Sequence, residues 1–273
     1  MKDIKELLNF SILNIDKPQG PTSFAITDYL RKSLNLNRCS HQGTLDPAVS
    51  GVLPILLGRA CRLSEYFMHK NKTYVGIMRL HKEVEEKELK ETIKKFIGKI
   101  NQLPPVRSSV KRAIRQREIF SFNILEIDGK DVLFETEVQA GTYIRKLCDD
   151  IGKEIGGAHM LELRRTKAGI FTEEDKNFIN LYQFEEALKD EDKLRSLLIP
   201  AEKAIKSVLP HQQISPTQTQ LKQLLTGKPL HKSDFPQLPK EDKFALFTKE
   251  QLIGIYKRVN EGDIIAKAEF VYN

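Results

Sequence analysis

The sequence predicts an α+β protein: a mixed-sheet domain followed by a small β-rich domain. Three observations predict it. Strand-like alternation at Thr73–Leu80, Phe120–Ile127 and Asp131–Val138 is interleaved with helix-period stretches, which excludes an all-α or all-β chain. Asp128-Gly129 between two of those runs is a hairpin signal, which argues against a doubly wound parallel sheet. Beyond residue 205 only short apolar runs remain (Phe244–Phe247, Gln251–Tyr256, Ile264–Val271), separated by turn residues.

Taken in order, Ile12–Ile15 reads as a short strand, and Lys17-Pro18-Gln19-Gly20-Pro21 as a turn that cannot be regular structure. Thr22 or Ser23 then caps a helix through Leu34, with Ile26, Tyr29 and Leu30 on one face. Leu53–Leu57 is a buried apolar run. Lys82–Ile100 reads as one charge-rich helix whose core stripe is Leu89, Ile93, Phe96 and Ile97. Thr142 begins a helix with Ile144, Leu147, Ile151 and Ile155 inward, and Gly156-Gly157 ends it. A helical stretch at Leu181–Leu198 precedes the Ile199-Pro200 junction, so the expected domains are 1–204 and 205–273.

The chain of 273 residues carries 44 Lys and Arg against 37 Asp and Glu, a net charge of +7, so a polyanion is a reasonable partner. Its longest strongly apolar run, Val52–Leu57, is far too short to span a bilayer. Three widely spaced cysteines, Cys39, Cys61 and Cys148, form neither a zinc pattern nor a disulfide framework. They read as reduced thiols in an intracellular protein. No dinucleotide or Walker fingerprint is present and the histidines do not cluster, so nothing suggests a metal or a dinucleotide.

Chemistry concentrates in His41–Gly51, HQGTLDPAVSG. Asp46 sits there between Leu45 and Pro47 with no charged residue within four positions on either side. Glycines and proline predict a shaped loop. Two readings fit the acid: it begins a turn, as Asp-Pro often does, or it is a nucleophile or acid/base group. Arg145 lies off its helix's apolar stripe and reads as a surface arginine, unless it reaches Asp46 and holds the carboxylate ionised and oriented. Tyr74 reads as a strand aromatic, and His41 as a turn histidine.

Between Asn101 and Arg117 five cations, Arg107, Lys111, Arg112, Arg115 and Arg117, occur without an acid, which suits phosphate contact of the kind basic nucleic-acid patches make, the alternative being a merely soluble strand edge. Leu163-Arg164-Arg165-Thr166-Lys167 is a second basic cluster.

In order and spacing, KPQGPTS (17–23), HQGTLDP (41–47), KTY (72–74), AGTYIR (140–145) and GAHMLELRRT (157–166) resemble the motifs of the TruB-type pseudouridine synthases. The stretch QLPPVRSSVKRAIRQREIFSFNILEIDGKDVLF is similar to the archaeal and eukaryal, dyskerin-type branch, the catalytic subunit of H/ACA ribonucleoproteins. That resemblance implies isomerisation of uridine to pseudouridine without cofactor or metal. Asp46 would be the essential carboxylate in a dry pocket, Arg145 its partner, and Tyr74 the residue that stacks on the flipped base. The implied substrate-binding set is His41, which holds the nucleotide out of its stack, Leu163, an apolar floor, and Lys17, which with Pro18 supports the loop. Arg164 and Arg165 complete it by contacting the active-site region or RNA backbone. The resemblance also implies a mixed, largely antiparallel sheet in the catalytic domain, and a C-terminal unit that would be a PUA-like RNA-binding domain, a small β-barrel. Implied partners are H/ACA guide RNA, an rRNA substrate and small accessory proteins, with no membrane. The compartment would be cytoplasmic in an archaeon and nucleolar in a eukaryote. A stand-alone tRNA enzyme of the same family, and a non-catalytic RNA-binding or assembly factor, are the alternatives.

Overall fold

Strand β1 (Ser11–Lys17) is buried along almost its whole length, as its apolar run Ile12, Leu13 and Ile15 demands. It pairs antiparallel with β3 (Ser50–Leu57), which is buried at every position after Ser50. Together they form the interior of a mixed sheet in a computed structural model that describes residues 3–104, 111–235 and 238–273. The sheet continues from β3 through β8 (Ala158–Ala168), β4 (Lys72–Leu80), β7 (Asp131–Val138) and β6 (Arg115–Asp128) to β5 (Gly98–Gln102). Most pairs are antiparallel; β3 and β8 run parallel, which makes the sheet mixed. The short β2 (Cys39–His41) extends β3, β9 (Phe171–Thr172) hairpins onto β8, and β10 (Phe178–Ile179) pairs with β1.

Helices α1 (Ile4–Asn9), α2 (Ser23–Ser33) and α3 (Ser64–Met68) precede β4, and two more supply much of the core. In α5 (Ile144–Glu154), Ile144, Leu147, Cys148 and Ile151 are buried, and α4 (Glu86–Lys94) adds Leu89 and Ile93. They join Met78, Val132 and Phe134 from the strands in one core, each large apolar side chain contributing about 1.5–3 kcal/mol of burial. Helix α2 (Ser23–Ser33) is capped by Thr22, whose hydroxyl accepts the Ala25 N–H.

The chain divides into two compact units, residues 1–198 and 199–273. In the second, strands 211–213, 243–248, 251–261, 264–271 and 230–231 form a five-stranded sheet. Its own core holds Phe244, Leu246, Ile253 and Tyr256, with Leu224 of the 218–225 helix.

The fold class is as the sequence predicts, and β7 starts and stops where expected. Three expectations change. Lys82–Ile100 is not one helix: Gly98, at φ +90°, breaks it, and Gly98–Gln102 pairs with β6 as a strand. The stretch 181–198 is two helices, Leu181–Ala187 and Glu191–Leu197, because Asp190 caps the second with its carboxylate. The third change is two short elements that the sequence reading lacks: the N-terminal helix Ile4–Asn9, which packs against residues 58–63, and strand β2, which pairs with the next strand.

Candidate active site

Asp46 stands on the loop between β2 and β3, and the motif at 17–23 grips that loop from one side. Lys17, fully buried, donates from Nζ to the carbonyls of Pro18 (2.8 Å), Pro47 (3.3 Å) and Val49 (2.8 Å). The Gly20 N–H donates to Pro47 O at 2.8 Å. Ser23 Oγ accepts the Leu45 N–H at 2.8 Å and donates to its carbonyl at 3.0 Å. All but the Pro18 bond use loop backbone, so the loop's shape is fixed without spending the Asp46 carboxylate.

The turn reading and the chemical reading of Asp46 are both satisfied, by different atoms. The Asp46 carbonyl accepts the Val49 N–H at 3.0 Å, closing the turn through Pro47. Its carboxylate Oδ2 accepts from Arg145 Nη2 at 2.8 Å. Both side chains are more than half exposed, at 56% for Arg145 and 57% for Asp46, so without RNA the carboxylate is open to solvent. The dryness expected of the pocket is not a property of the free chain.

Arg165 closes the loop from below. Only 1% exposed, it donates from Nε to Val52 O at 2.8 Å and from Nη2 to Gly43 O at 2.9 Å. Burial pushes its pKa down, and the neighbouring Tyr74 hydroxyl opposes that shift. Tyr74, in β4, lies directly across from Arg165 in the β4–β8 pairing. Leu163, two residues earlier on the same face, is buried opposite Gly76, where a Cβ would meet Leu163 Cδ1 at 2.8 Å. Lys72, also buried, donates to the carbonyls of Met68 (2.5 Å) and Lys70 (2.6 Å), and burial lowers its pKa to about 8.

His41 is held at both ring nitrogens. Thr27 spends its proton on Ser23 O at 2.8 Å, so its oxygen accepts from His41 Nδ1 at 3.1 Å. His41 Nε2 then accepts from Thr44 Oγ1 at 3.1 Å. Burial, with Arg165 nearby, holds the imidazole's pKa below its ordinary value.

The remaining expected residues separate. Arg164 leaves β8 on the face opposite Leu163 and Arg165, where it forms a two-bond pair with Asp16 (2.9 and 3.1 Å) and bonds Glu173 at 2.8 Å. Strand alternation therefore takes it away from the substrate-facing side expected of it. Arg117 donates from Nε to Gly141 O at 3.1 Å, beside the start of α5. Arg115 opens β6, and Lys111 and Arg112 are exposed on the segment before it. Arg107 lies outside the described residues. A groove of about 1120 Å³, lined by Ile4, Leu36, Arg38 and Leu194 among others, contains none of the expected site residues.

Comparison with known proteins accounts for this arrangement. The description "TruB family pseudouridylate synthase (N terminal domain)" matches residues 31–144, and "tRNA pseudouridylate synthase B C-terminal domain" matches residues 145–206. The crystal structure of a Cbf5-Nop10-Gar1 complex contains a chain 36% identical to this one, superposing with a TM-score of 0.86 over 99% of this chain and 87% of that one. The chain belongs to the TruB family of pseudouridine synthases.

The structure of an H/ACA RNP bound to a substrate RNA containing 2'-deoxyuridine contains a chain 34% identical to this TruB-family protein, with a TM-score of 0.84 over 100% of this chain and 88% of that one. A protein named probable tRNA pseudouridine synthase B from Methanothermobacter thermautotrophicus is 44% identical over 75% of this chain and 64% of its own length. One of the same name from Thermococcus onnurineus is 47% identical over 72% and 61%. The chain thus spans less than two thirds of the length of these curated relatives.

Sequence reasoning missed several residues that shape this TruB-family site. The sequence offers Ser23 as a helix cap and a motif residue and does not single out Thr27, yet they fix Leu45 and His41. Gln102 is 2% exposed, and its side chain bonds the backbone of Tyr143 at the start of α5. Polar side chains in otherwise apolar settings were the available signal. Among the described residues no group of three or more His, Cys, Asp or Glu could hold a metal ion, and no helix is long and apolar enough to cross a membrane.

Proposed function

We propose that this protein isomerises uridine to pseudouridine in rRNA, guided by an H/ACA RNA and acting as the catalytic subunit of such a particle. The observation that carries the reading is the Asp46–Arg145 contact, made by a carboxylate that the loop leaves free of every structural duty. Asp46 starts cleavage of the N1–C1′ bond, by attack on the nucleotide or by removing a ribose proton. The uracil turns and rejoins through C5; C5 loses a proton and N1 gains one, so atoms and electrons balance without an oxidant. Arg145 aims the carboxylate, and the flipped nucleotide that covers the pair excludes water from it. Tyr74 stacks on the base, Leu163 floors the pocket and neutral His41 holds the nucleotide out of its stack.

Similarity to chains solved in H/ACA complexes over nearly their full length supports the guided reading, with accessory proteins of the kind named in the Cbf5-Nop10-Gar1 complex as partners. Residues 205–273 would serve as the PUA-like RNA-binding domain beside a catalytic domain of residues 1–204. The curated names favour a second reading, a stand-alone tRNA enzyme. A scaffold without activity would need neither Asp46 nor Arg145. One assay separates the three: pseudouridine formation by wild type and D46A, on tRNA alone and on a guided rRNA fragment with accessory proteins. Product only in the guided reaction, and absent with D46A, supports the particle subunit. Product on bare tRNA moves the assignment to the stand-alone enzyme, and no product in either leaves the scaffold.

A further inference from the structure

The Asp46–Arg145 contact lies between two side chains that are each more than half exposed. An exposed ion pair has little power to fix its own geometry, because water screens it and both side chains lose rotamer freedom on pairing. Its orientation must therefore come from the backbone that carries each partner. The loop motif supplies this for Asp46. For Arg145 the corresponding support is not in its own helix: the residue at the N-cap of α5, Tyr143, makes no side-chain cap.

Gln102 supplies it. Its Oε1 accepts the Tyr143 N–H at 3.0 Å and its Nε2 donates to the Tyr143 carbonyl at 3.2 Å. Only one orientation of the amide satisfies both bonds, so its assignment is unambiguous. The same Tyr143 carbonyl accepts the Leu147 N–H at 3.0 Å, the first intrahelical bond of α5, and Arg145 is the second residue of that turn. The Gln139 N–H also donates to Glu118 O at 2.8 Å, and Arg117 bonds the Gly141 carbonyl. The β5–β6 edge thus pins the segment leading to Arg145 at three successive points, Gln139, Gly141 and Tyr143. Gln102 is the one of these groups that is almost fully buried and reaches the helix start itself.

We infer that Gln102 is a positioning residue for the reaction: it sets the first turn of α5 so that Arg145 meets Asp46. Its link to catalysis rests on the pseudouridine synthase reading above; its link to the helix start does not. Gln102 thereby acquires a role distinct from that of the basic residues that follow it.

The test is a double-mutant cycle in the full chain, with Q102L, R145A and the pair, and with Q102E as a second variant that keeps side-chain volume and one acceptor. Single-turnover rate at saturating RNA, RNA affinity and amide hydrogen exchange over residues 142–149 are read together. In the wild-type background Q102L should slow the reaction about 10- to 100-fold, as expected of a misaligned catalytic group, with RNA affinity within about twofold. In the R145A background it should cost less than about threefold further, because the residue it acts through is gone. Exchange at Tyr143–Leu147 should rise in both backgrounds. An equal loss of rate in both backgrounds, or a loss carried by RNA affinity, overturns the proposal. So does a wild-type rate in folded Q102L. If the wild type makes no pseudouridine, the functional reading fails instead, and the exchange data still decide whether Gln102 holds the helix start. Unchanged exchange in both Gln102 variants overturns that too.

Discussion

Arg164 and Arg165 are neighbours in sequence and leave β8 towards opposite faces of the sheet. Arg165 turns to the active-site loop and bonds the Gly43 and Val52 carbonyls, whereas Arg164 turns to Asp16 and Glu173. R164A should therefore keep catalytic activity and lose about 1 kcal/mol, since its ion pairs are partly exposed. R165A should lose about 2–4 kcal/mol and most activity, because two buried carbonyls lose their donor and a cavity replaces the side chain. Urea unfolding beside an activity assay checks both; an inactive R164A of normal stability would show that the facing assigned to it is wrong.

Gly51 is the position where a methyl group is least tolerable. Its φ is +103°, and an added Cβ would lie 2.2 Å from the Arg165 carbonyl oxygen, across the β3–β8 pairing. G51A should cost about 3 kcal/mol or more and disturb the loop that Arg165 holds. Gly129 is the control, with φ +56° and no atom within 4 Å of an added Cβ. G129A should cost only about 1–2 kcal/mol, the penalty of a left-handed residue alone. Equal midpoints in thermal denaturation of the two variants would contradict this.

The His41 tautomer follows from one donor. With Thr27 committed to Ser23 O, the proton sits on Nδ1, a state that nitrogen NMR reads directly. T27V should release it and mix the tautomers. Because burial lowers the folded pKa below the ordinary 6.5, the unfolded chain takes up this proton first on acidification. The His41 contribution to stability is thus present above 6.5 and lost as pH falls through the folded pKa. Wild type should lose more stability than H41N between pH 7.5 and 5.5; a smaller loss reverses the sign of the shift.

Lys72 predicts the opposite end of the pH scale. Its folded pKa is about 8 against an ordinary 10.5, because burial disfavours the ammonium. Below pH 8 both states hold the proton and the burial cost is present in full. Between 8 and 10.5 the folded chain releases it while the unfolded chain keeps it, so stability rises with pH by about 1–3 kcal/mol from this group. The difference between wild type and K72M, followed by urea unfolding from pH 7 to 10, should grow in favour of the wild type. A flat difference would contradict the shift.

The sequence by itself determined the fold class, the hairpin at Asp128-Gly129, the shaped loop around Asp46 and the list of residues worth watching. These are local properties: side-chain periodicity, turn chemistry, and an isolated acid among neutral neighbours all act within a few positions. Only the tertiary structure decided which of the residues meet. Asp46 and Arg145 are 99 positions apart, and Arg165 reaches 122 positions back to Gly43, so no local pattern encodes either contact. Long-range pairing also turned the end of the expected 82–100 helix into β5, since bonds to β6 outweighed a helical pattern that Gly98 had already weakened. It sent Arg164 away from the site by strand alternation and gave Gln102 its contact with Tyr143, because register across the sheet, rather than any short stretch of sequence, sets what a side chain faces.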